Sequence, residues 1–176
     1  DYFLQVSRLT QQKQPEHLVD IYYKLKQSGI KEKLYFIGDG EKKEIIKQKI
    51  KEYNLENDII LLGQIENPYP FFKNAKLFVH TAKYEGLPTV LLESLALGTP
   101  VVSYDCPTGP RDILGKNSEY GELISLNDKD MFVEKVLELM NSKEKYEKYK
   151  NLSLIRANDF SMENNKVKLK ELIENI

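Results

Sequence analysis

The chain has 176 residues, 41% hydrophobic and 30% charged, with a formal net charge of −1. That is enough for one domain with a sizeable core, and it excludes a disordered chain, a membrane-spanning one and a strongly basic nucleic-acid binder. The single cysteine, Cys106, leaves no partner for an internal disulfide or a cysteine-based metal site and fits a reducing compartment.

The chain opens on Asp1 and enters a strand-like run at once, so it reads as a piece excised from something longer. Residues 2–8 are the first predicted strand. A helix follows over 15–28, with Pro15 suited to its first turn and Gly29 just past its end. The pattern continues with a strand over 34–37 closed by Gly38-Asp39-Gly40, a helix over 41–53, and a strand over 59–62 closed by Gly63. After these come a strand over 77–80, a helix over 89–97 stopped by Gly98 and Pro100, a strand over 101–104 and a weaker one over 122–125. From Lys129 onward the pattern is helical, with breaks near Asn141-Ser142 and around residues 159–161. Lysine there is interleaved with glutamate, as at Lys143-Glu144-Lys145, which suits solvated helix faces.

Strand and helix alternate about six times, and several strands are apolar on consecutive residues, which means burial on both faces. The expectation is an α/β domain: a doubly wound, mostly parallel six-stranded sheet with helices on both faces, one domain over residues 1–176. In such sheets the ligand lies beyond the carboxyl ends of the strands. The loops that matter are therefore those after Val6, Ile37, Leu62, His80 and Tyr104.

Two of these loops carry chemistry. After the first strand, Arg8 offers a planar fork and Lys13 a point charge to phosphate oxygens, although each is also an ordinary surface cation. The segment Glu85-Gly86-Leu87-Pro88-Thr89-Val90-Leu91-Leu92-Glu93 is more telling. Gly86 lets backbone approach a ligand, and the helix starting near Pro88–Val90 presents free N–H groups and the positive end of its dipole, an anion site. Thr89 can cap that helix or bond a phosphate oxygen. The same-face neighbours of Glu93 are Thr89, Val90, Ala96 and Leu97, and the other faces carry Leu91, Leu92 and Leu95. A helix apolar nearly all round is expected to be buried, so the Glu93 carboxylate needs donors, which a pair of sugar hydroxyls would supply. His17 and His80 stand far apart in sequence, and His80, at a strand end, is read as structural; Asp39 is read as a turn residue and Cys106 as packing.

In order along the chain, VSRLTQQK, LYFIGDGE, IILLGQI, the Glu-x7-Glu block EGLPTVLLE and SLALGTPVVSYD resemble the C-terminal domain of the GT-B-fold glycosyltransferases of family 4, the group 1 glycosyl transferases. The likeness covers residues 1–126, and the Glu-x7-Glu block followed by ALGTPVV is its most specific part. It implies that Arg8 and Lys13 neutralise a donor diphosphate, that Glu93 holds the ribose hydroxyls, and that Glu85 faces the transferred sugar near its C3 and C4 hydroxyls. Backbone of Gly86, Leu87, Pro88, Thr89 and Val90 would hold phosphate oxygens and the sugar edge, with Gly63, Gln64 and Ile65 beside the base. Ser7 replaces a glycine often found before the arginine, and the stretch Gly109-Pro110-Arg111-Asp112-Ile113 carries Asp112 where the family's loop commonly has glutamate.

The resemblance further implies a retaining transfer of a hexose from a nucleotide-sugar, with UDP expected and GDP or ADP as alternatives, and with no metal or other cofactor. The acceptor, a saccharide, would bind an N-terminal domain absent from this chain, so the fragment is expected to bind donor without turnover. A role in bacterial capsule or lipopolysaccharide synthesis, in the cytoplasm and at most peripheral to the membrane, follows by analogy alone. Three alternatives remain beside it: a GT-B-type nucleotide-sugar epimerase, a non-catalytic nucleotide-binding module, and a dinucleotide-binding oxidoreductase. The last expects Gly-x-Gly-x-x-Gly after the first strand, where this chain has SRLTQQKQ.

Overall fold

The computed structural model describes residues 1–174. Six strands, β1 (Tyr2–Val6), β2 (Lys33–Ile37), β3 (Ile59–Leu61), β4 (Leu77–His80), β5 (Val101–Asp105) and β6 (Glu122–Ser125), form one sheet in the order β3-β2-β1-β4-β5-β6. Every neighbouring pair is parallel, with Phe3 opposite both Leu34 and Leu77. Eight helices are described: α1 (Pro15–Gln27), α2 (Lys43–Glu52), α3 (Tyr69–Asn74), α4 (Thr89–Ala96), α5 (Pro110–Leu114), α6 (Lys129–Asn141), α7 (Lys143–Asn158) and α8 (Met162–Glu174). The doubly wound α/β expectation holds.

Alternation along the strands sorts the core into two layers. Phe3, Leu34, Leu77, Val79 and Val102 pack with Leu18, Ile21 and Tyr22 of α1, Ile46 of α2 and Phe132 and Val136 of α6. Leu4, Ile37, Phe78 and Val101 pack on the other face with Phe72 of α3, Leu91 and Leu95 of α4 and Ile113 of α5. α7 serves both: Tyr149 joins the first layer and Ala157 the second. α8 buries none of its residues. No helix among the described residues is long and apolar enough to cross a membrane.

The sequence reading missed α3 and α5, which span only 6 and 5 residues and so never complete two turns of apolar period. The break near residues 141–142 has a local cause. Ser142 ends α6 in extended backbone and then caps α7, its Oγ accepting the Lys145 N–H at 3.2 Å. α2 starts two residues later than expected, because Lys42 N–H donates to Leu9 O at 2.9 Å and holds the residues before the helix in a turn.

That bond is one of several that lock the carboxyl-end loops of β1, β2 and β3 together. Gly38 donates its N–H to Gly63 O at 2.7 Å, and at φ +131° a Cβ on Gly38 would lie 1.9 Å from Ser7 O. Both the backbone angle and the space demand glycine there. Gly38→Ala is therefore expected to destabilise the fold by about 2–3 kcal/mol, read as a lowered urea midpoint; an unchanged midpoint would show that the three loops are less tightly packed than described.

Candidate functional site

β1, β2 and β3 are laid down in one direction and β4, β5 and β6 in the other, so the order reverses between β1 and β4. At that point the connections above the carboxyl ends diverge to opposite faces and leave a crevice. The loop after β1 and the loop after β4 border it. They are tied to each other: Lys83 N–H donates to Gln12 O at 2.8 Å, Gln12 Nε2 donates to Tyr84 O at 2.9 Å, and Thr81 Oγ1 donates to Lys13 O and Gln14 O, both at 3.1 Å. The loop after β5 joins them. Thr108 donates its hydroxyl to Glu85 O, and Gly109 sits so close to Gly86 that a Cβ would lie 2.4 Å from Gly86 O.

At the centre, Lys13 Nζ contacts Glu85 Oε1, with the two side chains 14% and 8% exposed. His80 Nε2 lies 2.9 Å from the same oxygen, and its side chain is wholly buried. Burial would push the Glu85 carboxyl up, but the hydrogen bonds from His80 and Lys13 outweigh it and hold the group below its usual range. Burial pushes His80 down, so the ring is neutral near pH 7. Its Nδ1 is sealed off without a hydrogen-bond partner. An unpaired lone pair costs less there than an unpaired N–H would, which places the proton on Nε2, donating to Glu85.

Among the described residues, the remaining expected site residues make no hydrogen bond or ion pair with the Lys13 and Glu85 side chains. Arg8 is exposed on the same loop as Lys13, and its guanidinium makes no ion pair or hydrogen bond among the described residues; its charge helps hold down Glu41, whose carboxylate chiefly accepts the Gln11 N–H at 3.0 Å and so braces the loop. Gly63 stands beside Gly38 with Gln64 exposed, while Ile65 packs on the apolar cluster that α4 enters. Gly86, Leu87 and Thr89 are exposed, Pro88 is buried and Val90 half-buried; no side chain caps α4.

The expectation for Glu93 needs correcting. It is half-buried rather than enclosed, because Thr89 and Ala96 on its face are exposed and only Leu91, Ser94 and Leu95 turn inward. Composition overstated the burial of α4: α7 packs on one side of it, but the face carrying Thr89, Glu93 and Ala96 is left open. Even so, the Glu93 carboxylate makes no hydrogen bond or ion pair with the described residues. Asp112 is exposed, its loop anchored instead by Arg156, which donates to Ile113 O at 2.8 Å and Asp112 O at 2.6 Å. Cys106 is buried and its thiol is pushed up to about 11, chiefly by burial, in keeping with a packing role. His80 is buried as a structural residue would be, but its partnership with Glu85 was not foreseen. Its place at the end of a strand five residues before an acid was the one available signal; for Thr108 there was none.

Residues 1–153 match the model of the family described as glycosyl transferases group 1. The chain belongs to this family. Among group 1 glycosyl transferases and their kin, it is 32% identical over 159 residues to the N-acetylgalactosamine-N,N'-diacetylbacillosaminyl-diphospho-undecaprenol 4-alpha-N-acetylgalactosaminyltransferase of Campylobacter jejuni, covering 90% of this chain and 42% of that protein. It is 31% identical over 149 residues to the lipopolysaccharide 1,6-galactosyltransferase of Salmonella typhimurium, covering 82% and 41%. The fold superposes on S. aureus TarM, solved with UDP and alpha-GlcNAc-glycerol, with a TM-score of 0.87 at 24% identity, over 99% of this chain and 35% of that one. The chain thus spans less than half the length of the curated relatives it matches.

The coupled group at the crevice sets a pH response. A buried neutral His80 favours the folded state above the unfolded histidine value of 6.5 and loses that contribution as pH falls below it, as does His17, whose pKa burial also lowers. Glu85, held below 4.5, contributes above that pH and loses its contribution as pH falls through its folded value. In urea unfolding at about pH 7, 5.5 and 4, His80→Gln should flatten part of the upper decline and Glu85→Gln part of the lower one. Curves parallel to the parent protein's would contradict the coupling.

Proposed function

We propose that this chain is the donor-binding domain of a retaining glycosyltransferase that passes a hexose from a UDP-sugar to a saccharide acceptor in bacterial capsule or lipopolysaccharide synthesis. The observation that carries the reading is the meeting of Lys13 and Glu85 at the β1/β4 reversal, beside the uncapped start of α4. A cation, a carboxylate and a helix tip in one crevice suit a sugar diphosphate, whose charge lies on the phosphates and whose hydroxyls lie beside them.

The roles follow from the chemistry of transfer. As the anomeric bond breaks, charge grows on the leaving diphosphate; Lys13, Arg8 and the N–H groups at the start of α4 are fixed positive groups that stabilise it, in place of a metal. Glu85 accepts from hydroxyls of the transferred sugar. Glu93, lacking a protein partner, accepts from the ribose hydroxyls, and the Gly63–Ile65 turn borders the base. An N-terminal domain would supply the other wall of the cleft and the acceptor, so this domain binds donor without turning it over. Support for UDP and for surface polysaccharides comes from TarM, solved with UDP, and from the lipopolysaccharide galactosyltransferase among the relatives. Such an enzyme would work in the cytoplasm, peripheral to the membrane where its acceptor is a lipid-linked saccharide.

Calorimetric titration with UDP, GDP and ADP tests this directly: UDP should bind, and Glu93→Ala should weaken it roughly tenfold or more, the loss of a charge-assisted pair of hydrogen bonds. Undiminished UDP affinity in that variant would remove the ribose assignment, and no nucleotide binding at all would remove the function. In the intact enzyme Glu85→Ala should lower turnover by roughly a hundredfold with UDP affinity within about threefold; equal losses in both would place Glu85 on the nucleotide instead.

A further inference from the structure

We propose that His80 is a positioning residue of this site: its buried Nε2–H fixes Glu85 so that the carboxylate stays aimed at the donor sugar once the diphosphate has drawn Lys13 away. The inference rests on the donor-binding reading above and adds a residue to it.

Both protein contacts of the Glu85 side chain fall on one oxygen. Lys13 and His80 meet at Oε1, while Oε2 makes no hydrogen bond among the described residues and is not among the polar atoms sealed off from solvent. Oε2 is thus the atom left for a ligand hydroxyl, and its direction is set by whatever holds Oε1. The two holders differ in kind. Lys13 reaches in from a loop on a flexible four-carbon stem, and an arriving diphosphate, which carries more negative charge than one carboxylate, competes with Glu85 for its ammonium. His80 sits on β4, wholly buried, its ring lying nearly parallel to that of Phe78 with centroids 6.2 Å apart. It has no rotamer to move into without opening the core.

Without donor, Lys13 and Glu85 neutralise each other. When Lys13 turns to phosphate, Glu85 would remain 8% exposed with its cation gone, a costly state for a carboxylate unless another donor stays. The neutral His80 is that donor. It supplies a hydrogen bond without a competing positive charge, so Lys13 is free to exchange partners while Oε2 keeps its aim. The main chain helps: Thr108 donates to Glu85 O, fixing the residue's backbone from the other side.

The test uses the full-length protein and measures affinity for UDP and for UDP-glucose, UDP-galactose, UDP-N-acetylglucosamine and UDP-N-acetylgalactosamine. The readout is the preference of the tightest sugar nucleotide over UDP. Gln reaches the position of the histidine Nε2 with an N–H, whereas Asn ends at the position of Nδ1 and falls short. His80→Gln should keep the preference within about threefold of the parent protein, and His80→Asn should lower it roughly tenfold, with UDP affinity itself changed by less than about threefold in both. The two variants bury polar amides of similar kind, so a loss common to both, or a preference retained by His80→Asn, overturns the inference while parent-protein binding of UDP leaves the donor reading standing. If the parent protein binds neither UDP nor any UDP-sugar, the donor reading itself fails and takes the inference with it.

Discussion

The structure depends on the reversal of strand order between β1 and β4. Each parallel strand must be joined to the next by a crossover, and crossovers of one hand lay successive strands in one direction; starting again from the middle sends the second half the other way. The two loops that leave β1 and β4 then part to opposite faces of the sheet, and the polar groups at their bases cannot be covered by a helix. Lys13 and Glu85 meet in that gap. Further along the carboxyl edge the loops also close on one another, as Ser7, Gly38 and Gly63 do.

The electrostatics of the gap follow from what surrounds it. Glu85 lies against a strand end rather than in solvent, so it is stable as an anion only because two donors converge on it, one charged and one neutral. The Lys13–Glu85 pair is neutral taken together, with His80 adding a hydrogen bond and no charge. The same logic explains why Cys106, nearby and buried, stays a protonated thiol: burial raises it and the Glu85 charge adds to the effect. The helix layer over one face of the sheet carries a different kind of ionic cluster. Asp20 there is held by Lys49, Lys129 and Tyr53, and serves to clamp α1 to α2 and α6.

Relatives in the family carry this domain within chains more than twice its length. Lys13 and Glu85 are sheltered by loops of this domain, while Arg8, Leu87, Thr89 and the outer face of α4 stand open. On the donor-binding reading proposed above, a second domain closing over that edge would exclude water from Lys13 and Glu85.

By itself the sequence determined the alternation of strands and helices, the two-faced burial of the sheet and the family. These are written in local pattern: consecutive apolar residues in β4 and β5, the glycines after β2 and β3, Ser142 at the break between α6 and α7, and the Glu-x7-Glu block. It also singled out Lys13 and Glu85, through their loop positions taken together with the family resemblance. Only the tertiary structure decided that these two meet, since 72 residues of chain separate them and the pairing of β1 with β4 brings them together. It decided that His80 holds Glu85, and that Glu93 lies at a half-open surface instead of inside a buried helix. Local pattern fixes which face of an element is apolar; which faces find a neighbour depends on how the layers stack, and that is settled by the whole chain at once.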